Sequence, residues 1–411
     1  MKLIVLSPFP YHSKVAHGGG ILSFQQLKLL ASRHEVHFLS FHNQETSDEL
    51  SRINEELGKI CKTISTIQLN VTRKSVFLSK LSLLFKLAPI EASLHASEEM
   101  HRKLSQTIAA VRPDVVFIQF PLMAQYVSSC KNEATIIDVQ DAFSVSEYRR
   151  FRSQQGFFKR TISFMRWISW VFHEARFYQK FDVVAAITEQ DRVGLEIFSP
   201  GLGAVVSPAA VEIPAMQTDL AGTSNTISFI GSFAHKPNIE AVRHFIENIF
   251  PLVLARVPDA LFLVAGKNVP TELTSLASDN IKFLGFVPDA AKFMQSSAVI
   301  AIPLLSGGGI KIKTLEALAA GCAVVSTPIG AEEIGASNEK HLLIADDPHQ
   351  FAQHIVNLIL DPSLRKKLGQ NARELISSQF SWQAKSDSLD RLLQSAVSKH
   401  AEKLIKPGID L

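Results

Sequence analysis

Gly307, Gly308 and Gly309 follow an apolar run that ends at Pro303, and a helical pattern begins at Lys313. Glycines in that place let backbone N–H groups close on an anion, and a helix N-terminus behind them adds partial positive charge. Lys311 and Lys313 set full positive charges beside the same point. Glu316, about one turn into the helix, can accept hydrogen bonds from a ribose diol, as acidic residues do in other nucleotide sites. The chemistry suited to this pattern is the holding of a nucleotide diphosphate. A cluster of loop glycines with solvated lysines produces the same local pattern, so spacing alone leaves both readings open.

Other polar residues fall where strands are expected to end. Phe229-Ile230-Gly231-Ser232-Phe233-Ala234-His235-Lys236-Pro237-Asn238 reads as a strand, a loop and a helix opened by Pro237-Asn238. Lys236 there, and Lys267 after the next strand, sit at strand C-termini, where open α/β sheets bind their ligands; a solvated surface charge is the alternative for each. Pro8-Phe9-Pro10 and Gly18, Gly19 and Gly20 fall in the loop after the first strand, with His12 and His17 read as surface histidines. Gln119 ends one strand, and Gln140 with Asp141 ends another; Asp141 is expected to bind an acceptor hydroxyl or to cap a helix. Thr188 and Asp191 read as a structural helix cap.

The elements that must position these residues are short apolar runs alternating with helical sequence. Residues 3–7, 34–39, 115–118, 135–139 and 183–187 are strand candidates, and a helical pattern over 22–32 makes the first βαβ unit. Strands at 226–230, 261–265, 281–284, 299–302 and 323–326 repeat the theme, separated by helices at 238–257, 290–296 and 313–320. Two successive runs of this kind predict an α/β chain of two Rossmann-like, doubly wound domains facing across a cleft. The boundary falls in the Gly-, Pro-, Ser- and Thr-rich stretch 200–224, giving a first domain at 1–205, a second at 206–385, and a charged C-terminal helix with a disordered tail at 386–411.

Composition narrows the class. A chain of 411 residues exceeds one compact core, and 46% hydrophobic with 20% charged residues is the composition of a folded protein. A net charge of +3 gives no reason to expect nucleic acid as a partner. Cys61, Cys130 and Cys322 are scattered and odd in number, which argues against a disulfide framework or a zinc site. The apolar start is too short for a secretory signal, and no run reaches the length of about 18 apolar residues that crosses a membrane, so a cytoplasmic location is expected. Residues 149–180 combine eight basic residues with aromatics such as Phe157, Phe164, Trp167 and Trp170. That mixture either lies peripherally on the inner face of a membrane or packs its aromatics into the first domain.

The stretch Glu316-Ala317-Leu318-Ala319-Ala320-Gly321-Cys322-Ala323-Val324-Val325-Ser326-Thr327, with Gly330-Ala331-Glu332 after it, resembles the donor-site signature of the retaining glycosyltransferases of family 4 (glycosyl transferases group 1), which have the GT-B fold. The resemblance covers nearly the whole chain and is strongest over residues 226–385. It implies that Glu316 contacts the nucleotide ribose and that the backbone of Gly309, Ile310 and Lys311 holds the diphosphate. It likewise assigns Lys236 to the leaving diphosphate, the loop containing Val287 to the base, and Gly231 and Ser232 to the donor loop. Gly18, Gly19 and Gly20 look like the glycines that approach phosphate and sugar from the other domain. Gln119 and Gln140 stand where family members often have a histidine at the sugar. Gly308 replaces a glutamate that in the family touches the donor sugar, and a branch with Gly-Gly-Gly-x-Lys-x-Lys fits this segment better. Phe380-Ser381-Trp382 resembles the end of GT-B chains, where the last helix crosses back to the N-terminal domain.

The resemblance implies a hexosyl-type transferase, acting in polysaccharide biosynthesis or a related pathway. Its donor is a nucleoside-diphosphate sugar and its acceptor a polysaccharide, lipid-linked sugar or small molecule. Configuration is expected to be retained, with no cofactor. No Asp-x-Asp motif holds a divalent ion, so metal independence is expected. Two alternatives remain at this stage: a catalytically degenerate nucleotide-sugar-binding partner subunit, and a nucleotide-sugar epimerase on the same architecture.

Overall fold

Runs such as Leu3-Ile4-Val5-Leu6 and Val115-Val116-Phe117-Ile118 are apolar at every position, which suits strands covered on both faces. In a computed structural model of the chain, which describes residues 1–12, 18–43, 45–216 and 225–405, all eight are fully buried. His17, the C-terminal tail from 406 and part of the expected boundary stretch lie outside the described residues.

The chain divides into two units, Met1–Ala209 with Ser386–Leu411, and Ala210–Lys385. In the first, β1 (Lys2–Ser7), β2 (Glu35–His42), β3 (Thr63–Gln68), β4 (Val115–Gln119), β5 (Ala134–Val139), β6 (Val183–Ala186) and β7 (Val205–Val206) form a parallel sheet in the order 3-2-1-4-5-6-7. In the second, β8 (Thr226–Ile230), β9 (Leu261–Ala265), β10 (Ile281–Gly285), β11 (Val299–Ile302), β12 (Val324–Ser326) and β13 (Leu343–Ile344) follow the order 10-9-8-11-12-13, again all parallel. Each sheet therefore reverses its direction of growth once, between β1 and β4 and between β8 and β11. Loops leaving the C-terminal ends of those strand pairs diverge and leave a crevice for ligands.

Three differences from the sequence reading have physical causes. β3 reads Thr-Ile-Ser-Thr-Ile-Gln and buries only Ile67 fully; as an edge strand it needs no continuous apolar run, and the sequence reading omitted it. Gly18, Gly19 and Gly20 open the helix Gly18–Arg33 instead of lying in the preceding loop. Burial of Phe24, Leu27 and Leu30 supports that helix, and tertiary packing outweighs the poor propensity of three glycines. The helix expected over 238–257 is interrupted: Lys236–His244 is α-helical, Phe245–Ile249 is a π-turn, and Phe250–Leu254 resumes the helix. Pro251 lacks an N–H and crowds the carbonyl of the preceding turn, which widens the ladder there.

The helix Trp382–Ile405 buries Leu389, Leu392, Leu393 and Ala396 in the first unit, in the same core as Phe24, Leu27 and Phe38. Asp390 pairs with Arg33, and Lys403 lies 2.8 Å from the buried carboxylate of Asp182.

Candidate functional site

At the switch point of the second sheet, two glycines permit a close approach of three loops. The Gly231 N–H donates to Ala265 O (3.0 Å), Phe233 N–H to Lys267 O (3.0 Å) and Gly266 N–H to Gly285 O (2.7 Å), which laces the loops after β8, β9 and β10 together. Gly266 has φ +153°, and a Cβ there would stand 1.8 Å from the Gly231 carbonyl oxygen, so only glycine fits. A Cβ on Gly231 would come within 2.9 Å of Asn238 Nδ2 and 3.0 Å of Lys313 Nζ. Its absence lets both polar tips lie over the end of β8. Asn238 Nδ2 donates to Ser232 O (2.7 Å), and its Oδ1 accepts from the Lys313 ammonium. That ammonium also sits 4.7 Å from the centroid of the Phe229 ring. Burial, and secondarily the charge of Lys311, pushes Lys313 down to about 8, while Glu316 works in the opposite direction.

The glycine loop takes positive φ at Gly307 (120°) and Gly309 (67°), conformations that glycine adopts without strain. Behind it stands the helix Ile312–Ala319, whose N-cap residue, Lys311, makes no side-chain cap hydrogen bond. Lys311 is buried; its ammonium donates to Gly309 O and lies 3.5 Å from Glu332 Oε2. Glu316 is exposed on this helix, yet the protein crowded around its carboxyl pushes the pKa up, with Lys313 opposing the shift. The loop is anchored from below: Thr327 Oγ1 donates to Leu304 O (2.6 Å) and Thr314 Oγ1 to Gly330 O (2.8 Å). Gly330 packs so tightly that a Cβ would meet Ser326 Oγ at 2.3 Å. Gly330 thus acts in packing and Glu332 as the partner of Lys311.

The structure brings Gly231, Ser232, Lys311, Lys313 and Glu316 together around this crevice, with Gly308, Gly309 and Ile310 in the loop between. Lys236 opens its helix with its side chain 83% exposed, 2.9 Å from Glu240 Oε1. Glu240 in turn accepts from Ser306 Oγ (3.1 Å), so one carboxylate ties Lys236 to the glycine loop. Lys267 lies 4.5 Å over the Phe286 ring, and Val287 is half-buried on that same loop after β10. Asn238 and Phe229 were missed as site residues. Asn238 was visible in the sequence only as a helix opener; its contact with a lysine 75 positions away has no local signal.

In the first unit, the candidates separate. Gln119 is buried: its carbonyl accepts from the Tyr11 hydroxyl (2.7 Å) and its amide faces Asp138 (3.5 Å). Gln26 and Gln140 donate to the same Asp138 Oδ2 at 2.8 and 2.7 Å. Both ends of the Gln119 side chain are thus engaged inside the fold. Gln140 is half-buried and Asp141 exposed. Asp141 stands one residue before Ala142, the N-cap residue of the following helix. The first-turn N–H of Ser144 donates to Glu174 Oε1 (3.1 Å), a buried glutamate whose carboxyl burial pushes up to about 8. Thr188 does form the expected cap, accepting from Asp191 N (3.0 Å). Cys61, Cys130 and Cys322 are unpaired, and burial pushes each thiol up to about 12, so none is an activated nucleophile. Among the described residues, no group of three or more His, Cys, Asp or Glu side chains is placed to hold a metal ion, and no helix is long and apolar enough to cross a membrane.

Residues 224–361, which contain the crevice just described, match the family profile described as Glycosyl transferases group 1. A Klebsiella pneumoniae protein named as an uncharacterized 44.6 kDa protein in the cps region is 25% identical over 394 residues, covering 92% of this chain and 96% of that one. A phosphatidyl-myo-inositol mannosyltransferase of Mycolicibacterium smegmatis is 29% identical over 177 residues, 41% of this chain and 45% of its own. Among solved structures, Anabaena HepE in complex with UDP superposes with a TM-score of 0.65 at 13% identity, covering 96% of this chain and all of that one. The two parallel α/β units have the fold of the GT-B glycosyltransferase structures they superpose on, and the second contains the segment that matches the group 1 profile.

Proposed function

We propose that this chain transfers a hexosyl group from a nucleoside-diphosphate sugar to a saccharide acceptor, with retention of anomeric configuration and without a metal ion. The observation that carries the reading is the convergence of Lys311, Lys313 and an uncapped helix N-terminus behind the Gly307–Gly309 loop, with Glu316 one turn further on. When the bond from the anomeric carbon to the diphosphate oxygen breaks, negative charge grows on the diphosphate. Backbone N–H groups of Gly309, Ile310 and Lys311, with the two ammoniums, offset that charge through preorganised dipoles and charges. Lys236 exchanges Glu240 for the departing diphosphate. Glu316 accepts hydrogen bonds from the ribose diol. The acceptor hydroxyl forms the new bond at the anomeric carbon and gives up its proton, which the diphosphate takes. Gly18, Gly19, Gly20, Gln140 and Asp141 are assigned to the sugar and acceptor side of the same reaction.

A lipid-linked saccharide is the acceptor class best supported. The relatives include a mannosyltransferase named for a phosphatidyl-myo-inositol acceptor and a full-length relative from a cps region. One observation favours a second reading, a nucleotide-sugar-binding subunit without turnover: Gly308 puts no side chain where a sugar-reading carboxylate is expected.

The test is a thermal-shift panel of UDP, GDP, ADP and their sugars, followed by incubation with the stabilising sugar nucleotide. One base series is expected to raise the melting temperature by mass action. Slow donor hydrolysis in the absence of acceptor, unchanged by a chelator and releasing the sugar first as its retained anomer, supports the transferase. Stabilisation without any hydrolysis or transfer supports the binding subunit, and conversion of donor to an epimeric sugar nucleotide overturns both.

A further inference from the structure

The helix Arg73–Lys86 buries Leu83 and Ser79 and leaves much of its apolar surface outside. Ser79 is 3% exposed, while Phe77 (61%), Leu78 (51%), Leu84 (57%) and Phe85 (82%) face solvent. These apolar residues recur at helical spacing and make a single stripe. An isolated soluble domain gains nothing from exposing such a stripe in place of serines, and a patch of this kind marks a surface that another phase or molecule covers. Beside the stripe runs a groove of about 660 Å³ between this helix, the turn at Ala88 and Pro89, and the helix Phe157–Tyr178. Leu78, Leu81 and Phe85 form one wall, and Phe172 and Phe177 the other, with Lys86 and Arg176 at its rim.

Charge identifies what covers it. Arg73–Lys86 contains Arg73, Lys74, Lys80 and Lys86 and no acidic residue. The neighbouring helix adds exposed Phe157 (80%), Phe158 (82%) and Ile162 (58%) beside Lys159 and Arg160. Protein interfaces are depleted of lysine at their centres, whereas an anionic bilayer rewards lysines flanking an inserted apolar stripe. We infer that the Arg73–Lys86 helix and the first turns of Phe157–Tyr178 lie on an anionic phospholipid bilayer, and that the adjoining groove takes one lipid chain. Only part of the aromatic set expected on the membrane is available: Trp170 is buried, and Trp167 stacks on Phe151 (5.7 Å, 10°). The principal inserting element is therefore Arg73–Lys86, outside the 149–180 segment.

Full-length protein is sedimented with phosphatidylglycerol–phosphatidylcholine vesicles and with pure phosphatidylcholine vesicles. Binding is expected on the first and at least about tenfold weaker on the second, with salt weakening it. The double substitution Phe77→Asp/Phe85→Asp, at exposed positions, is expected to reduce binding about tenfold or more while leaving the melting temperature unchanged. In a second measurement, Phe85→Trp is expected to be quenched by lipids brominated along their acyl chains. Absence of binding to the anionic vesicles, unaltered binding of the double variant, or no quenching of Phe85→Trp overturns the inference. So does a concentration-dependent dimer that the double substitution dissolves, which would assign the stripe to a second copy of the chain.

Discussion

Lys313 is half-buried near another lysine, and desolvation of its amine lowers it from an ordinary value of 10.5 to about 8. Between those two values the unfolded chain holds the proton and the folded chain does not, so this group makes folding more favourable as pH rises through that window. Below about 8 the cost of burying the charge is fully present. The melting temperature of the wild type relative to Lys313→Met is accordingly expected to rise between pH 8 and 10, and a flat difference would contradict the assignment. Nucleotide binding has the opposite sign. A diphosphate favours the charged amine, so affinity measured by calorimetry is expected to fall as pH passes about 8 in the wild type and to be weak and level in Lys313→Met. Glu316→Gln retains size but removes a charged acceptor; about a tenfold loss of nucleotide affinity is expected, and an unchanged thermal shift would dismiss the ribose contact. The cluster of glycine, lysine and glutamate was legible as a pattern of residue types, although its spacing alone fitted a solvated loop as well as an anion site. Burial was not: nothing local to Lys313 says that Phe229 and Asn238 enclose it.

The loops that build the site depend on glycines whose importance shows only between elements. Gly266 carries the Gly231 carbonyl where its own side chain would be, so Gly266→Ala is expected to cost about 2–4 kcal/mol, read as a lower urea midpoint. Loss of the nucleotide-induced thermal shift is expected alongside it, because the loops after β8 and β9 are displaced together. A substitution with no effect on either would mean that the approach of these loops is not tight. Buried strands such as β1, β4, β8 and β11 were readable because strands covered on both faces need apolar residues throughout. β3 was not, since an edge strand tolerates polar residues, and the π-turn at Phe245–Ile249 was not, since Pro251 also fits a simple helix end. The same limit applies to the exposed stripe of the helix Arg73–Lys86: its periodicity is helical either way, and only packing shows which side is wet.

Across the whole molecule, the chain leaves its first unit and returns to it. Leu393 is fully buried among residues from β1, β2 and the Gly18–Arg33 helix, more than 350 positions earlier in the chain. Leu393→Ala is expected to destabilise the first unit by about 2–5 kcal/mol, seen as a lower melting temperature without ligand. Nucleotide affinity, which the proposed function assigns to the second unit, is expected to stay within about twofold, whereas a large loss would mean that the donor site lies elsewhere. The repeated strand order in the two sheets also places Gln119 at the end of β4, and Gly231 and the Gly307–Gly309 loop after β8 and β11, beside the switch in each sheet.

By itself, the sequence determined the alternation of strands and helices, the two α/β runs and the cluster of glycine, lysine and glutamate around residues 307–316. Those features are written in patterns local to the chain: apolar runs, helical periods and residue types at short spacing. Tertiary structure alone decided the environment of each charge. It joined Gln119, Gln140 and Gln26 to Asp138, enclosed Lys313, set Glu174 against the N–H of Ser144, and turned Phe77 and Phe85 outward. Each of these depends on contacts between distant segments, and neither burial nor the partner of a polar group is carried by any one stretch of chain.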